Sequence, residues 1–187
     1  DPLSIQALPD IRRSLRTSEI PGSTLSVREL LDVSEILRSA RVLETYLSER
    51  SGKYPALCAL TEGLTSVPAL EEALTRALDA STEGVKDSAS AELRRIRRGI
   101  ESARDGIRKQ VDAVLGRLPD DVVQDRLVTL RGGRFVIPVR ENQRHRVKGM
   151  VHDQSSSGAT LFIEPMVTVE LNNKLRQLEL AAEREVK

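Results

Sequence analysis

The sequence predicts a mainly α fold: a helical core bundle, then a long antiparallel two-helix lever carrying a small antiparallel β subdomain. Three observations lead there. Apolar residues recur at helical spacing through most of the chain up to Leu118 and again from Leu171 onward. Between about residues 125 and 165 the composition turns to Val, Ile, Leu and Thr, broken by Gly-Gly and by a serine-glycine stretch, which is the pattern of short strands and tight turns. Two long stretches, Ile96 to Val114 and Leu171 to Ala182, carry matching apolar seams. The divisions that follow are a helical core part over 1–88, a first long helix within 89–124, a β subdomain over 125–165 and a second long helix over 166–187.

The helical part begins with short pieces. In "TLSVRELLDVSEILRSARVLETYLSER", Ser26 and Glu29 form the sequence signature of a capping box, and Leu30, Val33, Ile36, Leu37, Leu43 and Leu47 follow at helical spacing. "SGKYP" breaks that helix. A further one is expected over "PALEEALTRALD", because Pro68 in a first turn lacks only an N–H that would have no intrahelical partner. After the polar stretch "DASTEGVKDSAS", the longest helix runs from Ala91 to about Leu118. Ile96, Ile100, Ala103, Ile107, Gln110 and Val114 alternate by four and three along it, a coiled-coil seam. At ~1.5 Å per residue this helix is roughly 40 Å long. Leu171, Leu175, Leu178 and Ala182 repeat the seam, so the two helices are expected to pack antiparallel as a stalk, or else each to pair with a second subunit.

Four strands are expected, at about 126–131, 134–140, 146–152 and 159–164. Gly132-Gly133 suits a two-residue hairpin link, since glycine reaches positive φ without steric cost. Pro138 has no N–H for a ladder, which places its strand at an edge or a bulge.

Composition narrows the function classes. The chain has 187 residues, a hydrophobic fraction of 39% and no run of 18 apolar residues, so a soluble protein with no membrane span is expected. "DPLSIQALPDIRR" lacks the layout of a signal peptide, and a cytoplasmic location is the expectation. Cys58 has no partner for an internal disulfide and reads as a small buried apolar residue rather than a nucleophile. Tyr46, Tyr54, Phe135 and Phe162 are the only aromatic residues, too few for a base-stacking platform. The chain starts at Asp1 rather than Met and ends within a helical pattern, as a piece of a longer protein would.

Charge is unevenly distributed within a net of +1. Arg126, Arg131, Arg134, Arg140, Arg144, Arg146 and Lys148 face a single acid, Glu141, in the stretch between them. Strand alternation places Arg134 and Arg140 opposite Phe135, Ile137 and Val139, and Arg146, Lys148 and His152 opposite Val147 and Val151. Such a basic face suits the phosphates of a polyanion; the plainer alternative is a solvated face whose arginines pair with acids elsewhere. Arg94, Arg95, Arg97 and Arg98 form a second cluster near a helix N-terminus, where cations oppose the macrodipole. Arg97 can reach Glu101, which leaves Arg94, Arg95 and Arg98 as further candidates for phosphate contact.

"VHDQSSSGATLFIEP" poses the question of a serine nucleophile. Adjacent strand residues His152 and Asp153 point to opposite faces, so they do not form a Ser-His-Asp arrangement. No G-x-S-x-G elbow, zinc-ligand spacing or G-x-x-x-x-G-K-[ST] motif is present. Residues 153–158 read as a hairpin turn and no catalytic or metal-binding residue is assigned.

The segment "GRFVIPVRENQRHRVKGMVHDQSSSGATLFIEPMVTVELNNKLRQLELAAEREV", with "DSASAELRRIRRGI", "PDIRRSL" and "LLDVSEILRSARVLETYL" upstream, resembles the bacterial MutS-II family, the MutS-like proteins without a mismatch-recognition domain. "VIPV" and "VHDQSSSGATLFIEP" are its most specific motifs. The resemblance implies a core, lever and clamp region, with the clamp touching the DNA backbone. It also implies a parent protein with an ABC-type ATPase and a C-terminal Smr nuclease module, linked to suppression of recombination and, in some bacteria, to rescue of collided ribosomes. ATP and Mg would belong to that ATPase, so no cofactor is expected within these residues. The expected function is noncatalytic engagement of duplex or branched DNA through phosphates, in a protein that forms a homodimer at full length. The alternatives are an architectural or dimerising stalk and a contact with ribosomal RNA.

Overall fold

The computed structural model describes residues 7–61 and 63–186; the first six residues, Glu62 and Lys187, on which parts of the expected core and of the second long helix fall, lie outside the described residues. The chain divides into two compact units, residues 1–91 and 92–186.

The first unit holds four helices and a small hairpin: α1 (Arg12–Ser18), α2 (Val27–Ser48), α3 (Pro55–Thr61), α4 (Pro68–Ala77), β1 (Leu78–Asp79) and β2 (Gly84–Val85). α2 starts with a full capping box. Ser26 Oγ accepts from the Glu29 N–H at 3.3 Å and the Ser26 N–H donates to Glu29 Oε2 at 2.8 Å. Pro68 opens α4. The expected continuation of α4 through Asp79 does not occur: Leu78 is extended, and its strand pairs antiparallel with β2 around a turn in which Asp79 Oδ1 accepts from the Ser81 N–H. Arg41 joins α2 to α4 through two 2.9 Å bonds to the two oxygens of Glu71. Cys58 is half-buried and its Sγ donates to the Leu47 carbonyl at 3.2 Å.

The second unit starts with most of α5 (Ala91–Leu115) and continues through β3 (Thr129–Arg131), β4 (Arg134–Arg140), a 3-10 turn at Glu141–Arg146, β5 (Gly149–Gln154), β6 (Thr160–Pro165) and α6 (Val169–Glu185). The four strands form one antiparallel ladder in the order β3-β4-β6-β5. Gly132 and Gly133, at φ 56° and 75°, make the two-residue link between β3 and β4. β4 lies inside the sheet, and Pro138 is accommodated opposite Phe162 of β6.

The mainly α expectation, with a two-helix lever carrying the strands, is overturned. The protein is a mixed α/β fold, about 54% helical, with antiparallel sheets of two and four strands. The physical reason is that the sheet has an apolar face of its own. Phe135, Ile137, Val139 and Ile163 enter the same buried cluster as Ile96, Ile100, Ile107 and Val111 of α5 and Leu175 of α6. Helix and sheet therefore close one core, as layered α/β units do, and no helical spacer separates them. The seam on α5 also differs from a heptad. Leu93, Ile96, Ile100, Ala103, Ile107, Val111 and Leu115 are buried, whereas Gln110 is exposed and Val114 only partly covered. Their average advance is about 3.7 residues, wider than the 3.5 of a coiled-coil seam.

Candidate nucleic-acid interface

The basic stretch folds into four different settings. Arg126 precedes β3 and works as a helix end-piece. Its guanidinium donates to the Leu115 carbonyl at 2.7 Å and the Leu118 carbonyl at 2.9 Å, and pairs with Asp120. The Leu115 carbonyl ends α5 and that of Leu118 lies in the turn just beyond it, where cations are favoured by the helix dipole. Arg144 is likewise internal, donating to the carbonyls of Val147 at 3.0 Å and Gly149 at 3.1 Å.

Arg134 lies over the face of the sheet opposite the core cluster, as alternation requires, but that face is occupied. Its Nη1 meets Oε1 of Glu164 at 3.0 Å and its Nη2 meets Oδ1 of Asn173 at 2.6 Å. Glu164 is fully buried. Its other oxygen stands 2.5 Å from Nε2 of His152, and Asn172 Nδ2 donates to Oε1 at 2.7 Å. A buried carboxylate needs this many partners, because an unpaired one would carry a large desolvation cost. Asn172 also accepts the Phe135 N–H at 3.2 Å, so the cluster joins β4, β5, β6 and α6.

Arg131 stacks over Phe162, with Cζ 4.2 Å from the ring centroid, and pairs with Asp153 at 3.2 Å. Arg146 closes the 3-10 turn and pairs with Asp121 at 3.1 Å. Both pairs are exposed, and such pairs contribute only ~0–1 kcal/mol.

Arg140 and Lys148 are exposed and have no carboxylate partner among the described residues. They do not share a face of neighbouring strands. Arg140 ends β4 opposite Thr160, at one end of β6; Lys148 precedes β5 and its carbonyl accepts the Met166 N–H at the other end. Five residues of strand at ~3.3 Å each separate those ends by roughly 17 Å. Arg140 and Arg146 do converge, because the Arg140 N–H donates to the Val122 carbonyl at 2.9 Å while Arg146 holds the adjacent Asp121. The serine turn joins them at that end: the Glu141 N–H donates to the Ala159 carbonyl at 3.0 Å.

On α5, Arg95 pairs with Glu92 at 2.6 Å, and that hydrogen bond holds the Glu92 carboxyl below its ordinary range. Arg94 and Arg98 are exposed without a carboxylate partner among the described residues.

The serines of 155–157 hold the turn together. Ser155 Oγ accepts the Thr160 N–H at 3.1 Å and lies 3.4 Å from Ser157 Oγ. His152 is engaged by Glu164 instead of a serine. Among the described residues no group of three His, Cys, Asp or Glu side chains is placed to hold a metal ion. No helix among them is long and apolar enough to cross a membrane.

No protein-family model matches the sequence. Individual relatives do. The chain is 40% identical over 181 residues to Endonuclease MutS2 of Alkaliphilus metalliredigens, covering 95% of this chain and 23% of that protein. It is 37% identical over 187 residues to Endonuclease MutS2 of Alkaliphilus oremlandii and 38% identical over 188 residues to that of Clostridioides difficile, each covering 98% of this chain. Its homologues are MutS2 proteins. The chain spans about 23% of the length of the MutS2 relatives it matches.

The match to MutS2 takes in both units, and so both basic stretches. Glu164 is the residue that the reading of the sequence left without a role. The signal was available: with Thr160 and Phe162 it alternates on the face that carries Arg134.

Proposed function

We propose that this chain is a noncatalytic, nucleic-acid-engaging region of a MutS2-type protein that holds duplex or branched DNA by its phosphates. The supporting observation is the end of the sheet where Arg140, without a carboxylate partner among the described residues, lies beside Arg146 and the exposed hydroxyls of Ser156 and Ser157. Arginine and serine donors of this kind suit phosphate oxygens and carry no base reading. Arg94 and Arg98 on α5 and Lys148 by β5 are further contacts in this reading. Arg95 and Arg131 join them when their exposed pairs open. Arg126, Arg134 and Arg144 serve the fold.

The relatives' name, Endonuclease MutS2, supports a nucleic-acid ligand for the whole protein. ATP and Mg fit the ATPase that the family resemblance implies elsewhere. A fluorescence binding titration with duplex and four-way-junction DNA, repeated across salt concentrations, tests the reading. Replacing Arg140 and Arg146 by Glu is expected to weaken binding at least about tenfold and to flatten the salt slope by roughly one unit per phosphate lost. No binding at low salt, or an unchanged slope, overturns it. Preferential capture by ribosomes in competition with the junction would move the assignment to ribosomal RNA.

A second reading, an architectural region, is favoured by Leu57, Leu60, Val67 and Leu70 in the first unit, all exposed and Leu60 by 80%.

A further inference from the structure

We propose that Phe162, Arg131 and Asp153 form a site for one unpaired nucleobase of a DNA strand, the base entering between the Phe162 ring and the Arg131 guanidinium. This rests on the nucleic-acid reading above and adds to its phosphate contacts one contact with a base. The chain has two phenylalanines. Phe135 is buried in the core cluster, whereas Phe162 is half-buried on the opposite face of the sheet, in the row that runs from Pro138 of β4 through Phe162 to Asp153 of β5. What covers its ring there is a guanidinium: Cζ of Arg131 lies 4.2 Å from the centroid.

The occupant follows from the chemistry of the two faces. A guanidinium plane stacks on an aromatic ring and equally on a base, so the two side chains offer a planar group a matching surface on each side. Arg131 is held over the ring by its pair with Asp153 and by a 3.2 Å bond from Nη1 to the Leu130 carbonyl. The paired side chains are 41% and 49% exposed, and such a pair contributes less than a base stacked on an aromatic face. Gly132 and Gly133 follow Arg131, and nothing lies within 4 Å of a Cβ added to either, so the hairpin tip leaves an approach to the guanidinium open.

Asp153 supplies the third side. β5 has a register shift between Val151 and Asp153 that sets Asp153 opposite Phe162, and bulges of this kind re-aim a side chain. Lifting the guanidinium by the thickness of one base, ~3.4 Å, breaks the Arg131–Asp153 contact and leaves the carboxylate at the edge of the inserted ring. There it accepts from the exocyclic amino group of cytosine or adenine, which thymine lacks. A base inside a duplex is already stacked and its amino group already paired, so the site selects a base that has no partner strand.

Fluorescence anisotropy with the 187-residue chain and two labelled duplexes of one sequence, one fully paired and one carrying a single unpaired cytosine, tests the proposal. The duplex with the unpaired cytosine is expected to bind about tenfold more tightly. Phe162→Leu should bring that ratio to about one, and Phe162→Tyr, which keeps the ring, should retain it; circular dichroism verifies that both variants are folded. An unpaired thymine should give a smaller ratio than cytosine, and Asp153→Ala should abolish the difference between them. The phosphate contacts enter both affinities alike, so the ratio reads the base site by itself. Equal affinities for the two duplexes, with binding present and its salt slope intact, overturn the base site alone, and so does a ratio that survives Phe162→Leu. No binding of either duplex at low salt overturns the base site and the phosphate reading together. A preference found only when the unpaired cytosine is carried by an RNA strand overturns DNA as the source of the base.

Discussion

The two units are of similar length but are held together differently. Among the described residues, Leu47, Leu74 and Leu78 are the buried apolar side chains of the first unit; α5 alone buries seven in the second, and the sheet adds Phe135, Val136, Ile137, Val139 and Ile163. In the first unit Leu8, Leu15, Ile20, Leu57 and Leu60 remain exposed. Its order rests on local devices: a capping box, a proline at a first turn, and arginine pairs between elements. Burial dominates the energetics of folding, so the lesson is that substitutions of similar chemistry should act very differently in the two units.

The largest contrast is expected between Ile107→Ala and Leu60→Ala. Ile107 is fully buried at the centre of the α5 stripe, and deleting its side chain leaves a cavity that costs ~2–5 kcal/mol. Leu60 is 80% exposed, and its removal is expected to change stability by less than about 0.5 kcal/mol. Urea denaturation followed by circular dichroism measures both. Equal shifts in midpoint would abolish the distinction between the units.

Next comes the buried carboxylate. Glu164→Ala removes the partner of Arg134, His152 and Asn172 at once, and about 3 kcal/mol is expected because a partly buried guanidinium is left unpaired. Hydrogen exchange sharpens the assignment: the Phe135 amide, which donates to Asn172, should lose protection together with the first turns of α6, ahead of the α5 amides. Uniform loss across all three would mean that the cluster does not join the sheet to α6.

Glycine replacement makes the same comparison at smaller scale. A Cβ on Gly149 would sit 2.2 Å from the Glu164 carbonyl oxygen and 2.7 Å from Ile163 Cγ2, one of them backbone, so Gly149→Ala is expected to cost ~1–3 kcal/mol. Gly52 in the first unit has nothing within 4 Å of such an atom, and Gly52→Ala should be near neutral or slightly stabilising. Thermal unfolding of the two variants side by side separates the cases.

What was legible in the sequence follows a similar line. The capping box, the start of α4, the strand at 134–140 and the Gly132-Gly133 link depend on neighbouring residues, and each is found where local rules put it. The errors arise where distant residues decide. β3 is shorter than expected because Arg126 turns back to the end of α5, eleven residues away. β5 starts at Gly149 because 141–146 winds into a 3-10 turn whose exit Arg144 holds by its carbonyl bonds. The fold class failed for one reason above the others: the apolar face of the sheet was recognised, but the helix it packs on was assigned to a stalk. For the basic residues, type and spacing showed a concentration of charge, yet only three-dimensional neighbours show that Arg134 faces a buried acid while Arg140 does not.

The smallest effect tests the first unit on its own terms. Ser26→Ala removes the side-chain oxygen that accepts the Glu29 N–H, and loss of such an N-cap costs ~1 kcal/mol. In a unit with so few buried apolar side chains, that should be visible in α2 itself. Both tyrosines, Tyr46 and Tyr54, lie at the far end of α2 or just beyond it, and the chain has no tryptophan, so tyrosine fluorescence reads this unit alone. The expected outcome is an earlier tyrosine transition in urea, with the hydrogen exchange of β4 and β6 unchanged. A shift in the sheet amides and none in the tyrosines would mean that the cap is not what holds α2, and that its stability is drawn from burial after all.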